Sequence, residues 1–245
     1  MAKNKNTKQS APPRGESRFL KALDRIIPLY AILPALILIA FNTLAYNGNR
    51  LLTVGWPHYD FSGPLDRAIP FLHWTILFYV FFYPFFIFGY LRVAKNDKPL
   101  FYRMAAGSVI SKVFCLLFFL LLPTRMPNWP SGTFEIRNFF DWLLQLIYDY
   151  DLPDNLLPSI HVLESWTVFR FTLKCDRFPK WQKVVSGVLA LLIILSTLTV
   201  KQHLLVDIAA GILVSEISHL LARVFRGERV FEAIERKTTS RLRVD

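Results

Sequence analysis

Apolar runs of roughly 17–25 residues, the length a helix needs to cross a bilayer, recur along this chain, and its lysines and arginines collect in the stretches between them. Lipid offers the backbone no hydrogen-bond partner, so segments of this kind are read as helices, which satisfy their own amides and carbonyls. The formal charge is +11 and 53% of residues are hydrophobic. A basic nucleic-acid binder would spread that charge over a soluble surface, whereas here charge and apolarity alternate in blocks. The reading is an all-α, multi-pass membrane protein with no nucleic-acid partner.

Six spans are expected, at roughly 26–46, 71–92, 104–122, 158–174, 184–202 and 203–223. The expected divisions are a disordered basic cytoplasmic arm over 1–25, a six-helix membrane domain over 26–225 and a basic cytoplasmic tail over 226–245. Most of the 29 lysines and arginines fall in the arm, in the links after spans two and four, and in the tail. By the positive-inside rule both termini face the cytoplasm. The link over 123–157, the start of span four and the corner at Lys201–His203 then share the extracytoplasmic face. Residues 133–150 alternate aromatics with Glu135, Arg137, Asp141 and Asp149, which reads as an amphipathic interfacial helix between helices 3 and 4. Cys115 and Cys175 are expected as unpaired packing thiols. Lys112, Glu164, Glu216 and His219 fall inside spans, where charges pair with one another, and Lys112 is expected to pair with Glu164 or Glu216. Ala209, Ala210 and Gly211 give span six one small side, suited to close helix packing.

Two polar clusters stand at span ends. In Pro158-Ser159-Ile160-His161, proline suits the first turn of a helix, and free first-turn amides form an anion site. Ser159 adds a hydroxyl donor, and His161 follows within the turn. In Lys201-Gln202-His203 with Asp207, residues four apart share one helix face. Asp207 would fix the tautomer of His203 and leave its other nitrogen nucleophilic. Lys201 would neutralise phosphate oxygens as charge builds. Phosphoryl chemistry without metal or cofactor follows from these groups.

Together the clusters resemble the type-2 phosphatidic acid phosphatase superfamily, whose members share a six-helix core. Its Pro-Ser-x-His motif is matched by Pro158, Ser159 and His161, and its Ser-Arg-x5-His-x3-Asp motif by Ser196, His203 and Asp207. The resemblance implies that His203 is the nucleophile, Asp207 its orienting partner and His161 the acid for the departing alcohol. It departs at Thr197, where the motif has arginine, and at Pro123-Thr124-Arg125-Met126-Pro127-Asn128-Trp129-Pro130, which lacks the Arg-Pro of the first motif. Arg125 would serve from a shifted position, while Lys112 lies about 15 Å deeper along its helix. The implied substrate is a lipid phosphate in the cell membrane, with the site outside the cytoplasm. A bacterial branch of the family is similar to inositolphosphoryl- and phosphocholine-transferring enzymes, so transfer to a lipid acceptor is the alternative to hydrolysis. A non-catalytic lipid-binding or transport protein on the same scaffold is the second.

Overall fold

The computed structural model describes residues 18–126, 134–152 and 154–241. Its helices are α1 (Arg18–Ile26), α2 (Leu29–Leu52, through a π-helical turn at Leu44–Gly48), α3 (Pro64–Ala68), α4 (His73–Asn96), α5 (Lys98–Leu121), α6 (Phe139–Tyr150), α7 (Ile160–Lys174), α8 (Lys180–Thr199), α9 (Leu205–Val224) and α10 (Glu228–Arg241). The described residues form no strand, only isolated bridges between Tyr59 and Thr124 and between Arg125 and Asp154. Within the stretch expected to be an unstructured arm, α1 begins at Arg18; residues 1–17 lie outside the described residues, as do 242–245 of the expected tail.

Five helices, α2, α4, α5, α8 and α9, are long and apolar enough to cross a membrane. The expected fourth span is shorter: α7 has 15 residues, about 22 Å at 1.5 Å per residue. Of the six expected spans, five are long helices and the fourth is a short one packed among them. α7 packs against α4, α5, α8 and α9, and protein rather than lipid covers it. That is why it carries buried Glu164, Ser165, Thr167 and Thr172. The helices around it put apolar stripes outward, such as Val184, Val188, Leu191 and Leu195 on α8, where lipid tails would meet them. α5 starts earlier than its hydropathy suggests because Asp97 caps it, accepting from the Leu100 amide at 2.9 Å, and Pro99 suits the first turn.

The charges inside the bundle are paired. Lys112 on α5 donates to Glu164 on α7 at 2.6 Å, and the Tyr90 hydroxyl on α4 donates to the other Glu164 oxygen at 2.7 Å. Glu216 belongs instead to Arg170, 2.6 Å away, with the Trp166 indole donating to it at 2.7 Å. Cys115 and Cys175 are buried free thiols. At the basic end α10 folds back along α5, joined by Arg103–Glu228 and Lys98–Glu235 ion pairs.

At the opposite end α6 lies against the start of α4. Its buried residues Asp141, Leu144 and Tyr148 face the bundle, while Phe139, Trp142 and Tyr150 are exposed. His73 Nδ1 contacts Asp141 Oδ1, and the Arg137 amide donates to Asp141 Oδ2 at 3.0 Å. The His73 hydrogen bond, then the Arg137 amide, hold the Asp141 carboxyl below its ordinary value. A depressed carboxylate stabilises the fold above its unfolded pKa of about 4 and loses that contribution as pH falls through the folded value. Trp142 fluorescence and protease cleavage near α6 should therefore report loosening below about pH 4, and Asp141→Asn should show the same loosening at neutral pH. An α6 equally protected at pH 3 and pH 7 would contradict this.

Candidate functional site

The turn that ends α8 aims the first histidine. Lys201 adopts a left-handed backbone, φ 55°. The Lys201 amide donates to Leu198 O at 3.0 Å and the Gln202 amide to Thr197 O at 2.9 Å, the paired bonds of a Schellman motif. The His203 amide also donates to Thr197 O, at 3.1 Å. Thr197 is fully buried, 0% exposed, and its hydroxyl donates to Ile194 O at 2.7 Å.

α9 begins just past this turn. Asp207 Oδ2 accepts the Leu204 amide at 2.8 Å, capping the helix, and stands 3.3 Å from His203 Nδ1. The expected pair is present. With Nδ1–H directed at the carboxylate, Nε2 keeps its lone pair. Asp207 is 1% exposed and its Oδ1 takes no hydrogen bond among the described residues.

α7 begins at Ile160, with Ser159 as its cap: the Val162 amide donates to Ser159 Oγ at 3.3 Å. Pro158 precedes the cap and is not in the first turn, because the serine side chain takes the capping place. The Ser159 amide donates to Asp207 O at 3.2 Å, tying the two motifs together through backbone. That approach depends on Gly211: a Cβ there would meet Ser159 O at 2.9 Å and Val162 Cβ at 3.1 Å. Gly211→Val should push α7 off α9, and a shift near 1 Å at such a centre costs about 10²-fold in rate. Turnover measured beside thermal unfolding would check it; wild-type turnover by a well-folded Gly211→Val protein would refute the coupling.

The two imidazoles converge, with ring centres 5.9 Å apart at 57°. His161 lies against Tyr79 and Phe82, ring centres 4.4 and 4.5 Å away, and its Nε2 is buried without a partner among the described residues. The Tyr79 hydroxyl donates to Asp151 at 2.6 Å, and the Tyr46 hydroxyl donates to the other Asp151 oxygen. Asp151 thus holds the ring against which His161 rests. Sequence reading missed both Asp151 and Tyr79, since neither belongs to a motif.

Beside His203 opens a cavity of about 250 Å³ lined by Arg67, Phe71, Met126, Leu198, Lys201 and Leu204 among others. The Lys201 ammonium donates to Asp66 O at 2.8 Å and Ile69 O at 2.6 Å. Burial lowers its pKa, and the Asp66 carboxylate offsets part of that. Neither Ser159 nor His161 lines this cavity. Arg125 is exposed and also outside the lining, one residue from Met126; its amide donates to Tyr59 O at 3.0 Å. Pro127, Asn128, Trp129 and Pro130 lie outside the described residues. Arg67 was not expected here. Its only sequence signal is Gly63-Pro64 with Asp66 following, a helix start that says nothing about where the helix docks.

No curated protein and no solved structure matches the chain. The family model described as PAP2 superfamily matches residues 49–221, from the end of α2 to the last turns of α9. That stretch holds His161, His203, Asp207 and the cavity beside His203, and the chain belongs to the PAP2 superfamily.

Proposed function

We propose that this membrane protein hydrolyses a lipid phosphate through a phosphohistidine. The observation that carries the reading is the pair of imidazoles 5.9 Å apart, one of them, His203, backed by a buried carboxylate and facing a cavity that Arg67 and Lys201 also line. His203 Nε2 would attack phosphorus while Asp207 stabilises the charge that develops on the ring. His161 would give a proton to the leaving alcohol oxygen. Water, deprotonated by the same His161, would then cleave the nitrogen–phosphorus bond and release inorganic phosphate. Amides at the start of α7, the Ser159 hydroxyl, Lys201 and Arg125 are the phosphate contacts proposed from sequence; of these side chains Lys201 lines the cavity, with its ammonium bonded to Asp66 O and Ile69 O. Phe71, Leu198 and Leu204 give one wall of the cavity the apolar character a lipid's first carbons need.

Sidedness follows from charge. Arg92, Lys98, Arg103, Lys174 and Lys180 fall at the helix ends opposite His203. The positive-inside rule puts that end in the cytoplasm and the histidines at the extracytoplasmic leaflet.

The test is a panel of phosphatidic acid, phosphatidylglycerol phosphate, a polyprenyl diphosphate and a sphingolipid phosphate, given to purified protein in detergent beside His203→Ala. Release of free phosphate by the wild type alone is the expected result. A labelled lipid product in place of phosphate would make the protein a transferase, and no turnover of any donor would overturn an enzymatic reading.

A further inference from the structure

We propose that Arg67, on α3, is the phosphate clamp of this site, and that Lys201 and Asp66 are the positioning residues that hold it beside His203. The inference rests on the phosphoryl reading above and deepens it.

Among the described residues, Arg67 and Lys201 are the arginine and lysine side chains lining the cavity at His203. They are not equivalent. An ammonium has three hydrogens to donate, and Lys201 commits two of them to Asp66 O and Ile69 O. Those carbonyls bracket Arg67 in the chain, so the lysine grips the backbone on both sides of the arginine.

Asp66 Oδ1 accepts the Leu205 amide at 2.8 Å, two residues past His203. Asp66 Oδ2 accepts the Gly63 amide at 2.8 Å and so closes the start of α3. The corner that carries the nucleophile and the stretch that carries Arg67 are therefore fastened by three bonds, each donated from the corner and accepted by Asp66 or Ile69.

The Arg67 side chain is exposed and makes no ion pair or hydrogen bond among the described residues. A guanidinium without an ion-pair partner, on the lining of the cavity that His203 also lines, presents two parallel N–H groups to an incoming anion. That fork matches two non-bridging phosphate oxygens, which a lysine does not reproduce. The buried Thr197 leaves the family's usual arginine position without charge, and Arg67 supplies it from another helix.

The experiment reads phosphate binding without turnover. Thermal unfolding of the purified protein in detergent is followed while inorganic phosphate or orthovanadate is titrated. Arg67→Gln should unfold at the wild-type temperature without anion, and its apparent anion affinity should fall roughly tenfold or more. Arg67→Lys should recover only a small part of that. Lys201→Met should also weaken anion binding, and Arg67→Gln added to it should cost little more, because the released helix no longer presents the clamp. Wild-type affinity in Arg67→Gln, or no anion-induced stabilisation of the wild type, overturns the clamp. Fully additive losses overturn the positioning role. A wild type that binds phosphate through Arg67 yet hydrolyses no lipid phosphate upholds the clamp and overturns the hydrolase reading alone.

Discussion

His203→Ala should lose catalysis by about 10³-fold or more while keeping its fold. The loss is large because one side chain is asked to form the covalent bond. The fold survives because the backbone around it is held independently: the His203 amide donates to Thr197 O, and Asp207 still caps α9 through the Leu204 amide. Removing the ring leaves Asp207 with a hydrogen-bonding role already filled. Asp207→Asn is the companion change. The oxygen that caps α9 is also the one facing His203 Nδ1, so an asparagine oxygen there keeps the cap but loses the negative charge that stabilises the imidazolium, for about 10²–10⁴-fold lower turnover. Acid-quenching is unsuitable for trapping the intermediate, since a phosphohistidine is acid-labile; alkaline quenching of labelled substrate should leave label on the wild type and none on His203→Ala. Label retained by His203→Ala would move the nucleophile elsewhere.

Much of this site was legible in the chain, for identifiable reasons. Lipid fixes span length and forbids exposed backbone, so the boundaries of α4, α8 and α9 follow closely from where apolar runs stop. His203 and Asp207 were expected to meet on one helix face; they do meet, but His203 precedes α9, and the contact forms where Asp207 also takes the Leu204 amide. What escaped prediction depends on contacts between distant parts of the chain. Lys201 reaches Asp66 O across 135 residues, and no local period encodes that docking. Its charge read as a clamp; its bonds make it an anchor. α7 misled for the opposite reason. Its hydropathy read as a full span, whereas its 15 residues are shorter than the others and bury Glu164, Ser165, Thr167 and Thr172 among neighbouring helices. Arg170 was counted with the basic rim and proves to be the partner of Glu216.

The Lys112–Glu164 pair should give the largest effect on stability. Both side chains are 3% exposed, so neither charge has water to fall back on. Lys112→Met leaves a carboxylate deep in the bundle with only the Tyr90 hydroxyl as donor, and breaking one side of such a pair costs about 3–5 kcal/mol. Glu164→Leu strands the ammonium at similar expense. The double variant Lys112→Met/Glu164→Leu removes both charges, and replacing a buried pair by apolar residues is often neutral or stabilising, so most of the loss should return. Tyr90 keeps a partner in this variant through Ser108. Unfolding temperature in detergent, measured for the two singles and the double, is the check. Singles that unfold like the wild type would mean that the charges are not desolvated as the packing implies. Glu164 lies on α7 one turn past His161, and Lys112 on α5, so the pair also fixes where α7 sits relative to α5. If the double variant regains its stability but not its turnover, the ion pair is positioning the helix that carries the acid; if both return together, it serves only to neutralise its own two charges.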